Sequence, residues 1–121
     1  MNLITLAQMR QLQEAWDARC AMRVAARLRR HFPARAEAAT EEQLQAFALR
    51  CIARARELGL RQEAEFRRYA HLAILLGPGF ERSEGARLLG LAPRPGEDDG
   101  GEWLYRAGER LVRLLRERAA G

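Results

Sequence analysis

Few residues in this chain could perform acid–base or nucleophilic chemistry. Its histidines are His31 and His71, its one serine is Ser83, and its two cysteines are Cys20 and Cys51. Covalent catalysis needs a nucleophile with a base beside it, and no recognisable catalytic motif surrounds any of these residues. The sequence therefore predicts no catalytic residue, and we expect a protein that is not an enzyme.

The same residues do not have the spacing of a metal or cofactor site. The cysteines form no Cys-x-x-Cys pair, and with the histidines they match no zinc-ligand spacing. The two glycine-rich segments, GPGF and GEDDGG, lack the pattern of a phosphate-binding loop. We expect no metal, no cofactor and a cytoplasmic protein with two buried free thiols, although a disulfide between their helices is geometrically allowed.

Arginine is the most prominent chemical feature of the sequence. All 21 basic residues are arginine, and with 16 acidic residues they give a net charge of +5. One side of the first predicted helix carries a row of four at spacings of four, four and three: Arg19, Arg23, Arg27 and Arg30. This arginine row suits an acidic protein surface or phosphate, or it is a solvated face paired with neighbouring acids. Nucleic acid is the less favoured partner, because no recognition motif or aromatic set accompanies the row.

An aromatic pair marks a second candidate contact surface. Trp103 and Tyr105 follow an acidic segment at the start of the last predicted helix, where periodicity does not require both to be buried. An exposed pair there suits a partner contact, whereas an aromatic lid over the core is the alternative. Four other aromatic residues fall on predicted apolar faces and are expected in the core: Trp16, Phe47, Phe66 and Tyr69.

Composition defines the fold class that must position these residues. The 121 residues suit one domain, 1–121, and 48% of them are apolar. The chain has two valines and three isoleucines, and this scarcity of β-branched residues favours an all-α fold. No segment resembles a signal peptide or a membrane span, so we expect no membrane partner.

Local signals place three core helices in the first 80 residues. The first is expected from Thr5 to His31, with an apolar stripe at Met9, Leu12, Trp16, Cys20, Val24 and Leu28. The second begins at a capping box formed by Thr40 and Gln43 and stops at Gly59, where Leu60 folds back. The third, 62–76, is apolar on nearly all sides and is therefore expected in the centre of the bundle.

The central helix should end abruptly. In the sequence Gly77-Pro78-Gly79, the first glycine can take the left-handed conformation and the proline blocks continuation of the helix. Phe80 is expected to fold back as an apolar plug.

The last third of the chain gives weaker signals. Ser83 can cap a short helix, residues 92–102 are expected to form a mobile loop, and the last helix is expected over 103–119. The predicted architecture is thus a compact bundle of three core helices plus a short helix and an amphipathic C-terminal helix.

The first two thirds of the chain contain a recognisable pattern. An Arg-Ala-x-x-x-Gly turn, here Arg54-Ala55 and Gly59, is followed by a helix that ends in Leu-Gly-Pro-x-Phe, here Leu76 to Phe80. With RLRRHFP earlier in the chain, this pattern resembles small helical bacterial proteins encoded near type VI secretion effector and spike genes, such as those of PAAR and VgrG proteins. The match covers about a third of the chain.

The resemblance implies an accessory role and carries over no catalytic residue. It implies an adaptor or co-chaperone that binds a secreted effector or its spike protein and helps the effector to load. An immunity protein that blocks a toxin is the alternative, and a nucleic-acid-binding regulator is a third. A homodimer formed through the amphipathic face of the last helix also remains open.

Overall fold

The computed structural model describes residues 5–94 and 100–120, and across them the prediction of an all-α fold is confirmed. The chain forms six α-helices in this described part, with a 3-10 turn at Phe80–Arg82. In chain order the helices are α1 Leu6–His31, α2 Pro33–Ala36, α3 Glu41–Glu57, α4 Glu63–Leu76, α5 Glu84–Leu88 and α6 Gly100–Ala120. None of these helices is long and apolar enough to cross a membrane.

The core lies where α1, α3 and α4 pack together, and α6 packs against α4. Alanines on all three central helices are buried, which lets the backbones approach closely. Larger side chains fill the space between them, and the rings of Trp16 and Phe66 meet edge to face at 6.1 Å. The larger buried residues include Val24, Leu28, Leu44, Ile52, Phe66 and Tyr69.

The ends of α3 follow the local sequence signals. Thr40 Oγ1 accepts a hydrogen bond from the Gln43 amide, and the Gln43 side chain accepts one from the Thr40 amide. At the other end, Gly59 has a φ of +88° and the Leu60 amide donates to the Ala55 carbonyl at 3.0 Å. Leu60 is fully buried. The predicted capping box and fold-back are therefore confirmed.

The end of α4 differs in one detail from the prediction. Gly77 has φ +100° and ψ 148°, which is not the left-handed helical conformation. That conformation occurs two residues later at Gly79, with φ +73° and ψ 18°. Phe80 is buried and packs against the rings of both Tyr69 and Trp103, so the predicted apolar plug is confirmed.

The N-terminal part of α1 extends beyond the core. The expected apolar stripe is buried only from Cys20 onward, and Trp16 is half-buried. Met9 is 55% exposed and Leu12 62% exposed, so the expectation that they pack in the core is wrong. The physical reason is that α1 has 26 residues whereas α3 has 17 and α4 has 14, so its partners end before it does.

Helix α6 begins earlier than expected and is anchored to the segment before it. Residues 100–102 belong to the helix and not to the loop expected over 92–102; residues 95–99 of that loop lie outside the described residues. The Trp103 Nε1 donates to the Leu91 carbonyl at 2.8 Å. Arg106 donates to the carbonyls of Gly90 and Ala92. These bonds hold α6 against the bundle.

Candidate functional site

An open groove of about 740 Å³ runs between α4 and α6. Its apolar surface comes from α4, from α6 and from Phe32 at the end of α1. Helix α4, expected to be enclosed on nearly all sides, is thus open along the side where Arg68 and Leu76 are exposed and Leu75 is half-buried. The apolar lining residues are Phe32, Leu72, Leu75, Leu104, Leu111, Val112 and Leu115.

Helix periodicity explains why these side chains meet. Leu72 and Leu75 of α4 lie three residues apart, so they are neighbours on one side of the helix and both reach the groove. On α6, Gly108 lies in the groove wall, and a Cβ added there would meet no atom within 4 Å. The groove is therefore partly a consequence of a missing side chain on α6.

The rim of the groove is strongly basic. Arg68, Arg113 and Arg116 line it, and Glu109 is its one acidic lining residue. Among the described residues, no carboxylate lies within ion-pairing distance of these three arginines. The groove thus combines an apolar floor with guanidinium groups that are free to bind carboxylates.

His71 adds to the electrostatics of the groove. Its ring contacts Phe32 and His31 edge to face, with centroids 5.3 Å and 5.8 Å away. Burial lowers the pKa of His71 to about 4, helped by the neighbouring His31 and by the positive charges of Arg67 and Arg27. The Nε2 atom is buried and has no hydrogen-bond partner among the described residues. His71 is therefore neutral at pH 7 and leaves the floor of the groove uncharged.

The predicted arginine row lies on the surface, as its spacing requires. Arg19, Arg23, Arg27 and Arg30 are all exposed. Arg23 pairs with Glu63 of α4, with its Nε 3.0 Å from Oε1 and 3.1 Å from Oε2. The pairing lowers the pKa of Glu63. Within the described part of the chain, the other three arginines make no ion pair, so the row is one-quarter paired and otherwise open to solvent.

The predicted aromatic contact pair is wrong for Trp103. This side chain is 1% exposed and lies against Phe80 and Tyr69, because α6 begins a turn earlier than expected and carries it into the core. Tyr105 is 61% exposed and lines the groove. The alternative of an aromatic lid therefore describes Trp103, whereas Tyr105 remains available for contact.

The candidate nucleophiles are engaged in structure. Ser83 caps α5, where its Oγ accepts from the Ala86 amide and donates to the Phe80 carbonyl. Cys20 and Cys51 are buried free thiols, as predicted. Burial raises the pKa of Cys20 to about 11 and that of Cys51 to about 12, so both remain protonated. Residues 5–94 and 100–120 hold no group of three side chains suited to binding a metal ion.

A buried polar cluster that the sequence patterns did not predict joins α3 to the end of α4. The Glu81 carboxylate, 1% exposed, accepts from Arg54 Nε at 2.5 Å and from the Tyr69 hydroxyl at 2.8 Å. Arg54 belongs to the pattern that carries the family resemblance, and Glu81 directly follows Phe80, the last residue of that pattern. That pattern therefore describes structural residues.

The groove between α4 and α6 was also not predicted from the sequence. Its signal is an apolar set on α6 that is wider than one neighbouring helix can cover, from Leu104 to Leu115 with Val112 beside it. The chain matches no protein-family model, no curated protein and no solved structure.

Proposed function

We propose that this protein is a non-enzymatic accessory factor that binds an amphipathic helix of a partner protein in the groove between α4 and α6. The observation that carries the proposal is the combination of an apolar floor with three rim arginines that have no acidic partner in the described structure. Binding a helix in such a groove is a common mode of peptide recognition.

The chemistry of the groove defines the partner helix. It needs apolar side chains at i, i+3, i+4 and i+7 to cover the leucines, and carboxylates on its flanks to meet Arg68, Arg113 and Arg116. Tyr105 at the edge can contact the partner with both its ring and its hydroxyl group. The net charge of +5 also favours encounter with an acidic segment.

On the family resemblance, we further propose that the partner is a type VI secretion effector or its spike protein, which this protein would help to load. The arginine row of α1 provides a second basic surface near the groove, since the charge of Arg27 acts on His71, which lines the groove. An effector with an acidic helix could contact both surfaces.

Two glycine variants test the groove directly. Gly108→Leu places a side chain in open space within the groove, and leucine favours a helix, so the fold should be retained. Gly85→Leu on α5 is the matched control, because a Cβ there also meets no atom within 4 Å. We expect Gly108→Leu to abolish binding of a leucine-striped helical peptide flanked by glutamates, and Gly85→Leu to leave it unchanged.

Fluorescence anisotropy of the labelled peptide measures this binding. A peptide with lysine in place of glutamate should bind at least about tenfold more weakly, and added salt should reduce the difference. Equal binding of the two peptides, or binding that survives Gly108→Leu, would contradict the proposal. Co-expression with candidate effectors then separates the roles: recovery of intact effector supports an adaptor, and rescue of poisoned cells supports immunity.

A further inference from the structure

Helices α1 and α4 lie side by side along one edge of the bundle, and two contacts define how they are aligned there. Arg23 Nε donates to Oε1 of Glu63 at 3.0 Å, and the ring centroids of His31 and His71 are 5.8 Å apart. Both contacts join residues that are 40 positions apart in the sequence. Along this edge the two helices therefore run in the same direction.

Arg27 and Arg67 occupy the position midway between these two contacts, one on each helix. Each lies four residues from either contact, which is about one helical turn, so both side chains belong to the same edge. Both guanidinium groups are also close enough to His71 that their positive charges help to lower its pKa. The two arginines thus face each other across the seam between α1 and α4.

No acidic side chain neutralises this arginine pair. Within residues 5–94 and 100–120, neither Arg27 nor Arg67 makes an ion pair. Glu63 lies one turn before Arg67 and feels its charge, but both oxygens of Glu63 already accept from Arg23. Arg67 is half-buried, so water screens its charge less than that of an exposed arginine. Two like charges that face each other in this way repel unless an anion lies between them.

From this arrangement we infer that Arg27 and Arg67 bind a doubly charged oxyanion across the seam, either free phosphate or a phosphate monoester. The two guanidinium groups balance a charge of two, whereas a single carboxylate would leave one of them uncompensated. Their planar, forked donors also match the oxygens of a phosphate group. Neither arginine lines the groove between α4 and α6, so this anion site is a separate surface.

Titration with phosphate compounds tests the inference. His31 and His71 are the chain's two histidines and lie one turn beyond the pair, so their ring signals in NMR spectra should report binding. Phenyl phosphate and inorganic phosphate are titrated separately at about pH 8, where a monoester with a second pKa of about 6 is a dianion. We expect saturable shifts with a dissociation constant on the order of 1 mM. The compound that binds more tightly identifies the source of the phosphate group.

Three charge-removing variants locate the site. Arg27→Gln and Arg67→Gln should each raise the dissociation constant at least about tenfold. Arg10→Gln removes the same charge from the exposed end of α1 and should change the constant less than about twofold. Circular dichroism checks that each variant is folded. Wild-type binding by Arg67→Gln, or a native protein without saturable shifts, would overturn the inference.

Two further anions test the charge requirement on the native protein. Dimethyl phosphate carries a single charge and should bind at least about tenfold more weakly than phenyl phosphate. Sulfate keeps its double charge in acid, so at equal ionic strength it should raise the pKa of His71 above its value of about 4 in chloride. Equal binding of the two phosphate esters, or an unchanged pKa in sulfate, would contradict the site. None of these outcomes bears on the groove, whose binding is measured with the helical peptide.

Discussion

Arg54 Nε lies 2.5 Å from Oε1 of Glu81. This ion pair joins α3, in the middle of the bundle, to the segment that follows α4. Glu81 is the buried acid of this pair, and its other oxygen accepts from Tyr69. This hydrogen-bonded cluster is the polar counterpart of the Phe80 plug, and both fix the direction in which the chain leaves α4.

Glu81→Gln should destabilise the fold, because it leaves Arg54 with an uncharged partner in a buried site. We expect a loss of about 2 kcal/mol in the free energy of unfolding, measured by urea denaturation. Glu57→Gln is the control, since Glu57 pairs with the same arginine but is 64% exposed, and it should change stability by less than about 0.5 kcal/mol.

A double-mutant cycle tests whether Arg54 and Glu81 are energetically coupled. Adding Arg54→Met to the Glu81→Gln variant should recover at least about 1 kcal/mol of unfolding free energy. Purely additive losses from the two substitutions would contradict this coupling.

The free energy of unfolding should decrease at acid pH because His71 binds a proton more readily in the unfolded chain than in the folded protein. Its pKa is about 4 in the folded protein and 6.5 ordinarily, so the unfolded chain binds more protons between these values. The stabilisation is complete above pH 6.5 and is lost as the pH falls toward 4, by an amount of at most about 3 kcal/mol.

Chemical denaturation at several pH values measures this effect. His71→Leu should flatten the stability profile between pH 4 and 6.5. His31→Gln should keep most of the slope, because burial is the main cause of the lowered His71 pKa. An unchanged slope in His71→Leu would assign the pH dependence to other groups.

The two threonine caps should respond differently to the same substitution. Thr40→Ala removes the cap of a packed helix and should cost about 1 kcal/mol of global stability. Thr5→Ala should lower the helical signal in circular dichroism and leave the denaturation midpoint unchanged, because the exposed residues 5–15 can fray while the core stays folded. Equal midpoint shifts in the two variants would show that residues 5–15 are packed.

Substitutions of Trp103 and Tyr105 should have different effects: the first should reduce stability, and the second should weaken peptide binding. Trp103→Phe removes the indole donor to the Leu91 carbonyl and leaves a void, at a cost of about 2 kcal/mol. Tyr105→Ala should change stability by less than about 0.5 kcal/mol and weaken binding of the acidic helical peptide. Thermal denaturation and anisotropy on the same samples measure both; a stability loss in Tyr105→Ala would mean that its ring supports the fold.

Local signals predicted the parts of the fold that local chemistry decides. The Thr40 capping box, the turn at Gly59 and the return of Phe80 each depend on a few neighbouring residues, and the structure has all three. The left-handed residue is Gly79 and not Gly77 as predicted, because either glycine can supply it.

The position of the candidate site could not be predicted from the sequence, because it depends on where neighbouring helices end. The apolar periodicity of one helix does not contain the end points of the others. Periodicity identified the apolar side of α1 but not the point where its partners end. Helix length does contain that information: α1 has 26 residues and is about 39 Å long, so it extends beyond partners of 17 and 14 residues. Trp103 was misplaced for a similar reason, because the start of α6 decides whether it lies at the helix end or one turn inside.

Helix α1 runs from Leu6 to His31 without a glycine or a proline, so its exposed and packed halves form one rod. Anything attached to the exposed half is then held at a set angle to the rest of the domain, unlike cargo on a flexible tether. Inserting a single residue at the junction near Trp16 would swing the attached molecule by about 100°, and four inserted residues would nearly restore its phase.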